Sequence, residues 1–193
     1  MDTVESIRLP AALPAIADAT RQLRFLYASD LEFGPLLRML AASKPGGHLL
    51  EIGTGTGVGT AWLLDGMDAT ARLTSVERNA DVQAVARKHL GDDRRVTFVP
   101  GDAREFLQAQ AADSFDLVFA DGGPGKITDT ELALRLVKPG GVYIGDDLRQ
   151  HLLQDDGRAA RVKAFEAKML GLTDFAVVKL DWASGVVLAT RRA

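Results

Sequence analysis

Leu49-Leu50-Glu51-Ile52-Gly53-Thr54-Gly55-Thr56-Gly57-Val58-Gly59 is a short apolar run that empties into glycines and reopens as a helix at about Thr60. Glycines at that spacing permit a tight strand-to-helix turn, let a ligand approach the backbone and turn the unpaired N–H groups of the helix start toward it. Several ligands suit such a turn, so the spacing has to discriminate. The dinucleotide pattern GxGxxG fails in both frames, because its last position falls on Val58 when counted from Gly53 and on Thr60 when counted from Gly55. The phosphate-loop pattern fails as well, since no Gly-Lys-Ser or Gly-Lys-Thr closes the turn. The pattern that remains is ExGxGxG, with Glu51, Gly53, Gly55 and Gly57 in register.

Downstream of this turn, short β-rich runs at residues 48–52, 72–77, 96–100, 115–120 and 141–145 alternate with helical periodicity at 60–64, 80–90, 103–110 and 129–137. That alternation predicts an α/β fold, a doubly wound, Rossmann-like sheet with helices on both faces. Lys138-Pro139-Gly140-Gly141 is expected to stop the last of these helices before the fifth strand. Residues 155–170 form an amphipathic helical pattern, and the runs 175–182 and 186–190 flank Ala183-Ser184-Gly185 as an antiparallel hairpin, giving about seven strands in all. Residues 1–44 are helical, rich in Ala and Leu, and broken by Pro10, Pro14 and Gly34-Pro35. The expectation is a single domain over residues 1–193, with a helical cap at 1–44 that covers the open end of the sheet and a ligand-binding core at 45–193.

Composition narrows the function classes. With 23 Lys and Arg against 26 Asp and Glu, the formal charge of −3 provides no footprint for a polyanion, so nucleic acid is disfavoured as a partner. There is no cysteine, which removes disulfides, thiolate metal sites and a cysteine nucleophile. No apolar run approaches membrane-spanning length, and the cytoplasm is the expected location. His48, His89 and His151 have neither i,i+4 pairing nor zinc spacing; the first two read as surface residues and His151 as a faint general-base candidate. Trp62 and Trp182 read as packing residues.

Acids recur where the other strands end. Glu77 closes the second strand, where a carboxylate can accept both hydroxyls of a ribose through its two oxygens. The third strand ends in Gly101-Asp102-Ala103, and Asp102 is also a natural N-cap for the helix that follows. Glu51, Gly53, Thr54, Gly55 and Gly57, followed by Glu77 and Asp102 at consecutive strand ends, resemble the cofactor-binding motifs of class I S-adenosylmethionine-dependent methyltransferases. The resemblance implies that the glycine turn cradles the methionine part of the cofactor, with a nearby carboxylate meeting its ammonium. It further implies that Asp102 accepts from the adenine amino group and that the Ala103 N–H faces a ring nitrogen.

The fourth and fifth strands end in Asp121 and in Asp146-Asp147. This arrangement resembles the small metal-dependent O-methyltransferases of the catechol and caffeoyl-CoA type, with a likeness that runs from about residue 30 to 193 and includes Glu32-Phe33-Gly34-Pro35-Leu36-Leu37. It implies a Mg²⁺ or other divalent site at Asp121, Asp146 and Asp147, with Asp121 also bordering the cofactor, a small vicinal diol or phenol as acceptor, and a lysine as general base. Two departures stand out. Proline occupies position 124, where the family has that lysine, so the catalytic candidate becomes Lys126, two residues further on, which the flexible Gly122–Gly125 loop is expected to bring into place; Gly57-Val58-Gly59 replaces the family's Gly-Tyr-Ser. Each acid also has a local explanation, such as capping a helix over residues 148–153. Alternatives therefore stay open: a metal-independent methyltransferase for a nitrogen, carboxylate or RNA acceptor, aminopropyl transfer, or a cofactor-binding protein without catalysis. The N-terminal helices and the hairpin are candidate surfaces for a homodimer.

Overall fold

The structure, a computed structural model, describes residues 8–149 and 156–193. Its elements run α1 (Leu13–Gln22), α2 (Gly34–Ala42), β1 (His48–Ile52), α3 (Val58–Gly66), β2 (Arg72–Glu77), α4 (Ala80–Leu90), β3 (Val96–Pro100), α5 (Ala103–Ala109), β4 (Phe115–Ala120), α6 (Thr130–Leu136), β5 (Val137–Gly145), α7 (Asp156–Leu170), β6 (Phe175–Leu180) and β7 (Val186–Arg191).

The seven strands form one sheet in the order β3-β2-β1-β4-β5-β7-β6. Strands β1 to β5 are parallel, and β7 enters antiparallel between β5 and β6. The chain winds outward from β1 in one direction and then from β4 in the other. The gap between β1 and β4 is therefore the switch point at which open α/β sheets bind ligands. Ile52 pairs with Val76 on one side and with Ala120 on the other, so the carboxyl ends of β1, β2 and β4 finish level.

Alternation along the central strands feeds two cores. Leu49, Leu73, Leu117 and Phe119 pack with Phe33, Leu37, Trp62 and Leu63 on one face. Leu50, Ile52, Val118 and Tyr143 pack with Leu107, Leu136, Phe165 and Met169 on the other. Helices α4 and α5 start at side-chain caps: Asn79 accepts from the N–H groups of Asp81 and Val82, and Asp102 from those of Arg104 and Glu105. Arg87, Lys88 and His89 then lie in the last turn of α4, where the helix dipole favours cations.

The residues 1–44 that the structure describes lay α1 and α2 on α3 and its neighbours along one face of the sheet. Gly34 permits this docking, because a Cβ there would fall 2.1 Å from the Trp62 ring. Strand β5 begins at Val137, directly after α6. Val137 pairs with Phe115 and Val142 with Leu117, so Lys138–Gly141 bulges out of the ladder instead of separating helix from strand. The terminal hairpin turns over residues 181–185, with Trp182 part-exposed outside the strands, while Trp62 is fully buried. The proposed helix over 148–153 and His151 lie largely or wholly outside the described residues.

Candidate functional site

The glycine turn leaves β1 through residues that only glycine tolerates well. Gly53 has φ +98°, and a Cβ there would meet the Gly122 nitrogen at 2.9 Å; Gly57 has φ +97° and packs on Ala86, whose Cβ would lie 2.7 Å from an added one. The N–H groups of Gly53 and Thr54 donate to the Val76 carbonyl, and the Gly55 N–H donates to Glu77 Oε2 at 3.0 Å. Glu77 Oε1 accepts from the Asn79 N–H at 2.9 Å. Both oxygens of Glu77 are thus oriented by backbone donors, and each keeps a lone pair. Asp102 uses only Oδ1 for its cap, which leaves Oδ2 free.

Beneath the turn runs a buried hydrogen-bond chain. Gln83 Nε2 donates to Thr54 Oγ1, Thr54 and Ser75 share a hydroxyl contact of 2.6 Å, and Ser75 and Thr60 both donate to Glu51 Oε2. Glu51 itself is sealed from solvent, and burial pushes its carboxyl up to about 8 against those two hydroxyl donors. Its Oε1 has no partner.

At the ends of β4 and β5 the acids gather. Asp121, Asp146 and Asp147 each place an oxygen within 4.8 Å of the others. Burial raises the Asp146 carboxyl to about 6, with the Lys126 ammonium acting in the opposite sense, and burial together with the charge of Asp146 raises Asp121 well above the usual carboxylate range. Asp146 Oδ2 is buried without a partner. Asp121 Oδ2 accepts from the Ser29 hydroxyl at 2.9 Å, which ties the α1–α2 connection to the strand ends. Lys126, only 2% exposed, donates to Asp146 O at 2.8 Å, Asp146 Oδ1 at 3.2 Å and Asp121 O at 3.3 Å. Its three N–H bonds are all spent on protein oxygens, which makes it a clamp between the two strand ends. The flexible Gly122–Gly125 loop does carry it to the acids; Tyr143 fixes that loop by donating to the Gly125 carbonyl at 2.7 Å.

These elements enclose a cleft of about 760 Å³ over the carboxyl ends of the strands. Gly53, Gly55, Glu77, Asp102, Ala103, Asp121, Lys126 and Asp147 line it, as do Phe25, Leu26 and Tyr27 from the α1–α2 connection. Glu51, Thr54, Gly57 and Asp146 stand behind that wall, buried or packed against α4. Residues 50–148 match the family model described as a methyltransferase domain. The chain belongs to this methyltransferase family. A Mycobacterium marinum relative provisionally named an O-methyltransferase is 33% identical over 148 residues, which is 74% of this chain and 64% of the relative. The chain therefore spans just under two thirds of the curated relative's length. Among solved methyltransferases, the Bacillus cereus O-methyltransferase in complex with SAH shares the fold at TM-score 0.83 and 23% identity, with 97% of this chain and 93% of that one covered. TomG of Streptomyces achromogenes, an O-methyltransferase involved in tomaymycin synthesis and solved with SAM, aligns at TM-score 0.81 and 25% identity over 97% and 92% of the two chains.

Sequence reasoning missed the residues that reach this methyltransferase cleft from a distance: Ser29, Phe25 and Tyr27 from the N-terminal connection, Ser75 and Gln83 beneath the turn, and Arg158 of α7, which also lines the cleft. The only available signal was a polar residue, Gln83, at a helix position that the periodicity assigns to the core.

Proposed function

We propose that this chain transfers a methyl group from S-adenosylmethionine to an oxygen of a small acceptor, with a divalent cation held at Asp121, Asp146 and Asp147. The observation that carries the reading is the set of unspent acceptors along one cleft: the remaining lone pairs of Glu77 and the free Oδ2 of Asp102, beside the bare backbone of Gly53 and Gly55. Glu77 suits the two ribose hydroxyls, Asp102 the adenine amino group, and the Ala103 N–H a ring nitrogen. Glu51, sealed behind the turn, supports that turn from below through Thr60 and Ser75 and does not itself face the cleft.

The cation reading draws on the second half of the cleft. Three hard carboxylates with one orphaned buried oxygen form a donor set of the kind that Mg²⁺ or Mn²⁺ accepts, while Lys126 holds the other oxygen of Asp146. A divalent ion supplies Lewis acidity, which lowers the pKa of a chelated hydroxyl. The chain's own residues orient the reactants: Asp121 and Asp147 face the cleft from the acid side, Gly53 and Gly55 support the methyl donor, and Phe25 and Tyr27 keep water off the acceptor. An acceptor hydroxyl releases its proton to the solvent, the resulting oxyanion forms a bond to the methyl carbon as the carbon–sulfur bond breaks, and S-adenosylhomocysteine leaves. With its N–H bonds engaged, Lys126 serves as a positioning residue for Asp146 in this geometry. The same Lys126–Asp146 contact supports a second reading, methyl transfer without a metal, in which the ammonium stands in place of the metal beside the acids.

Two measurements test the proposal. Calorimetric titration with S-adenosylhomocysteine is expected to yield saturable binding that Glu77→Ala weakens; no binding at millimolar ligand removes the reading. Methylation of a catechol in the presence of a chelator is expected to stop and to return with Mg²⁺, while activity that ignores the chelator selects the metal-free alternative.

A further inference from the structure

Arg158 stands in the first turn of α7 and lines the cleft beside Pro124, Lys126 and Asp147. Its Nε is buried with no hydrogen-bond partner, and among the described residues no carboxylate pairs with it. Both circumstances are unfavourable. A charged donor sealed from water without an acceptor forfeits about 1–3 kcal/mol or more, and a cation at the start of a helix opposes the helix dipole. The other cleft cations are placed differently, since Lys126 is spent on three protein oxygens while Arg24 and Arg78 are exposed to solvent. Arg158 is thus the part-buried cleft cation, among the described residues, whose charge nothing in the protein uses.

We infer that Arg158 receives an oxyanionic group of the methyl acceptor, so that the acceptor is an acid at one end and a diol or phenol at the other. This inference rests on reading the cleft as a methyl-transfer site. A guanidinium presents parallel N–H groups along its edges, which match two oxygens of a carboxylate or phosphate. The acid cluster of the same cleft supplies the complement: Asp121, Asp146 and Asp147 repel an anion and attract a cation-chelating pair of hydroxyls. A molecule with an oxyanion at one end and adjacent hydroxyls at the other then has one orientation in the cleft, with the hydroxyls toward the acids. A neutral diol of the same shape lacks the second anchor.

Calorimetric titration of 3,4-dihydroxybenzoate, 3,4-dihydroxybenzamide and 3,4-dihydroxyphenyl phosphate into protein saturated with S-adenosylhomocysteine and Mg²⁺ tests this. An oxyanion is expected to bind about tenfold or more tighter than the amide, and Arg158→Met to abolish that difference while Arg158→Lys keeps part of it. The stronger of the two acids identifies the group as carboxylate or phosphate. Retained S-adenosylhomocysteine affinity in Arg158→Met is the control for folding. Equal binding of acids and amide, a preference that survives Arg158→Met, or no binding of either acid overturns the inference. Arg158-dependent binding with no methylated product when S-adenosylmethionine replaces S-adenosylhomocysteine upholds the anion site and removes the methyl-transfer reading, so the two fail separately.

Discussion

At the ends of β2 and β3, Glu77 and Asp102 each receive two backbone N–H groups, whereas at the ends of β4 and β5, part-buried Asp121 and buried Asp146 have a hydroxyl and one lysine between them. The first pair is fixed in place by the fold itself and offers lone pairs to neutral donors. The second pair carries negative charge that the protein compensates only in part, and burial together with that charge raises both carboxyls. One half of the cleft is thus finished before any ligand arrives, and the other half is completed by a positive charge. Orphaned Asp146 Oδ2 is the local sign of that difference.

Mutations in the two halves are expected to separate. Asp146→Asn should weaken Mg²⁺ or Mn²⁺ binding by about a hundredfold and leave S-adenosylhomocysteine affinity within about threefold; an equal loss of both in paired titrations would dissolve the distinction. Glu77→Ala should do the reverse. It removes an acceptor and strands the Gly55 and Asn79 N–H groups, which amounts to about 2 kcal/mol or roughly thirtyfold in S-adenosylhomocysteine affinity, with metal affinity unchanged in the same titrations. Ser29→Ala sharpens the picture on the acid side. Loss of its hydroxyl should cost about 1 kcal/mol, or roughly fivefold, in metal affinity, because Asp121 then loses its orienting donor.

A separate effect, on stability and not on affinity, concerns Glu51, which sits behind both halves. Its carboxyl rises from 4.5 to about 8 because burial disfavours the anion. The folded protein therefore binds a proton more tightly than the unfolded chain does, and the stability contributed by neutral Glu51 is full below pH 4.5 and lost as pH rises through about 8. Melting temperatures of the ligand-free protein are expected to fall across that window. In Glu51→Gln the slope should flatten; a slope that survives the substitution would place its origin elsewhere.

Much of this was legible in one dimension. Strands β1 to β4 begin and end where the apolar runs do, because buried parallel strands have to be apolar on both faces, and the acids at their ends follow from topology. Glu77 could be placed near Gly55 from the order of elements alone, and a 3.0 Å hydrogen bond joins them. Other features depend on contacts that no spacing encodes. Ser29 meets Asp121 across 92 positions of chain, and α1 and α2 find the face of α3 through Gly34 and Trp62. Thr54 reads as a ligand contact because it lies in the glycine turn, yet its hydroxyl points down to Ser75 and Gln83. Arg158 had no signal at all: an arginine on an amphipathic helix is ordinary until its neighbours are known.

The place of β7 bears on how the chain is made. Residues 186–191 leave the ribosome after β6 yet lie inside it, hydrogen-bonded to Val142–Gly145 of β5. Until they emerge, β5 presents an open edge to the crowded surroundings of the nascent polypeptide, and a raw edge of that kind recruits foreign strands. Synthesis interrupted shortly before Val186 would leave a nearly complete cleft attached to an adhesive sheet.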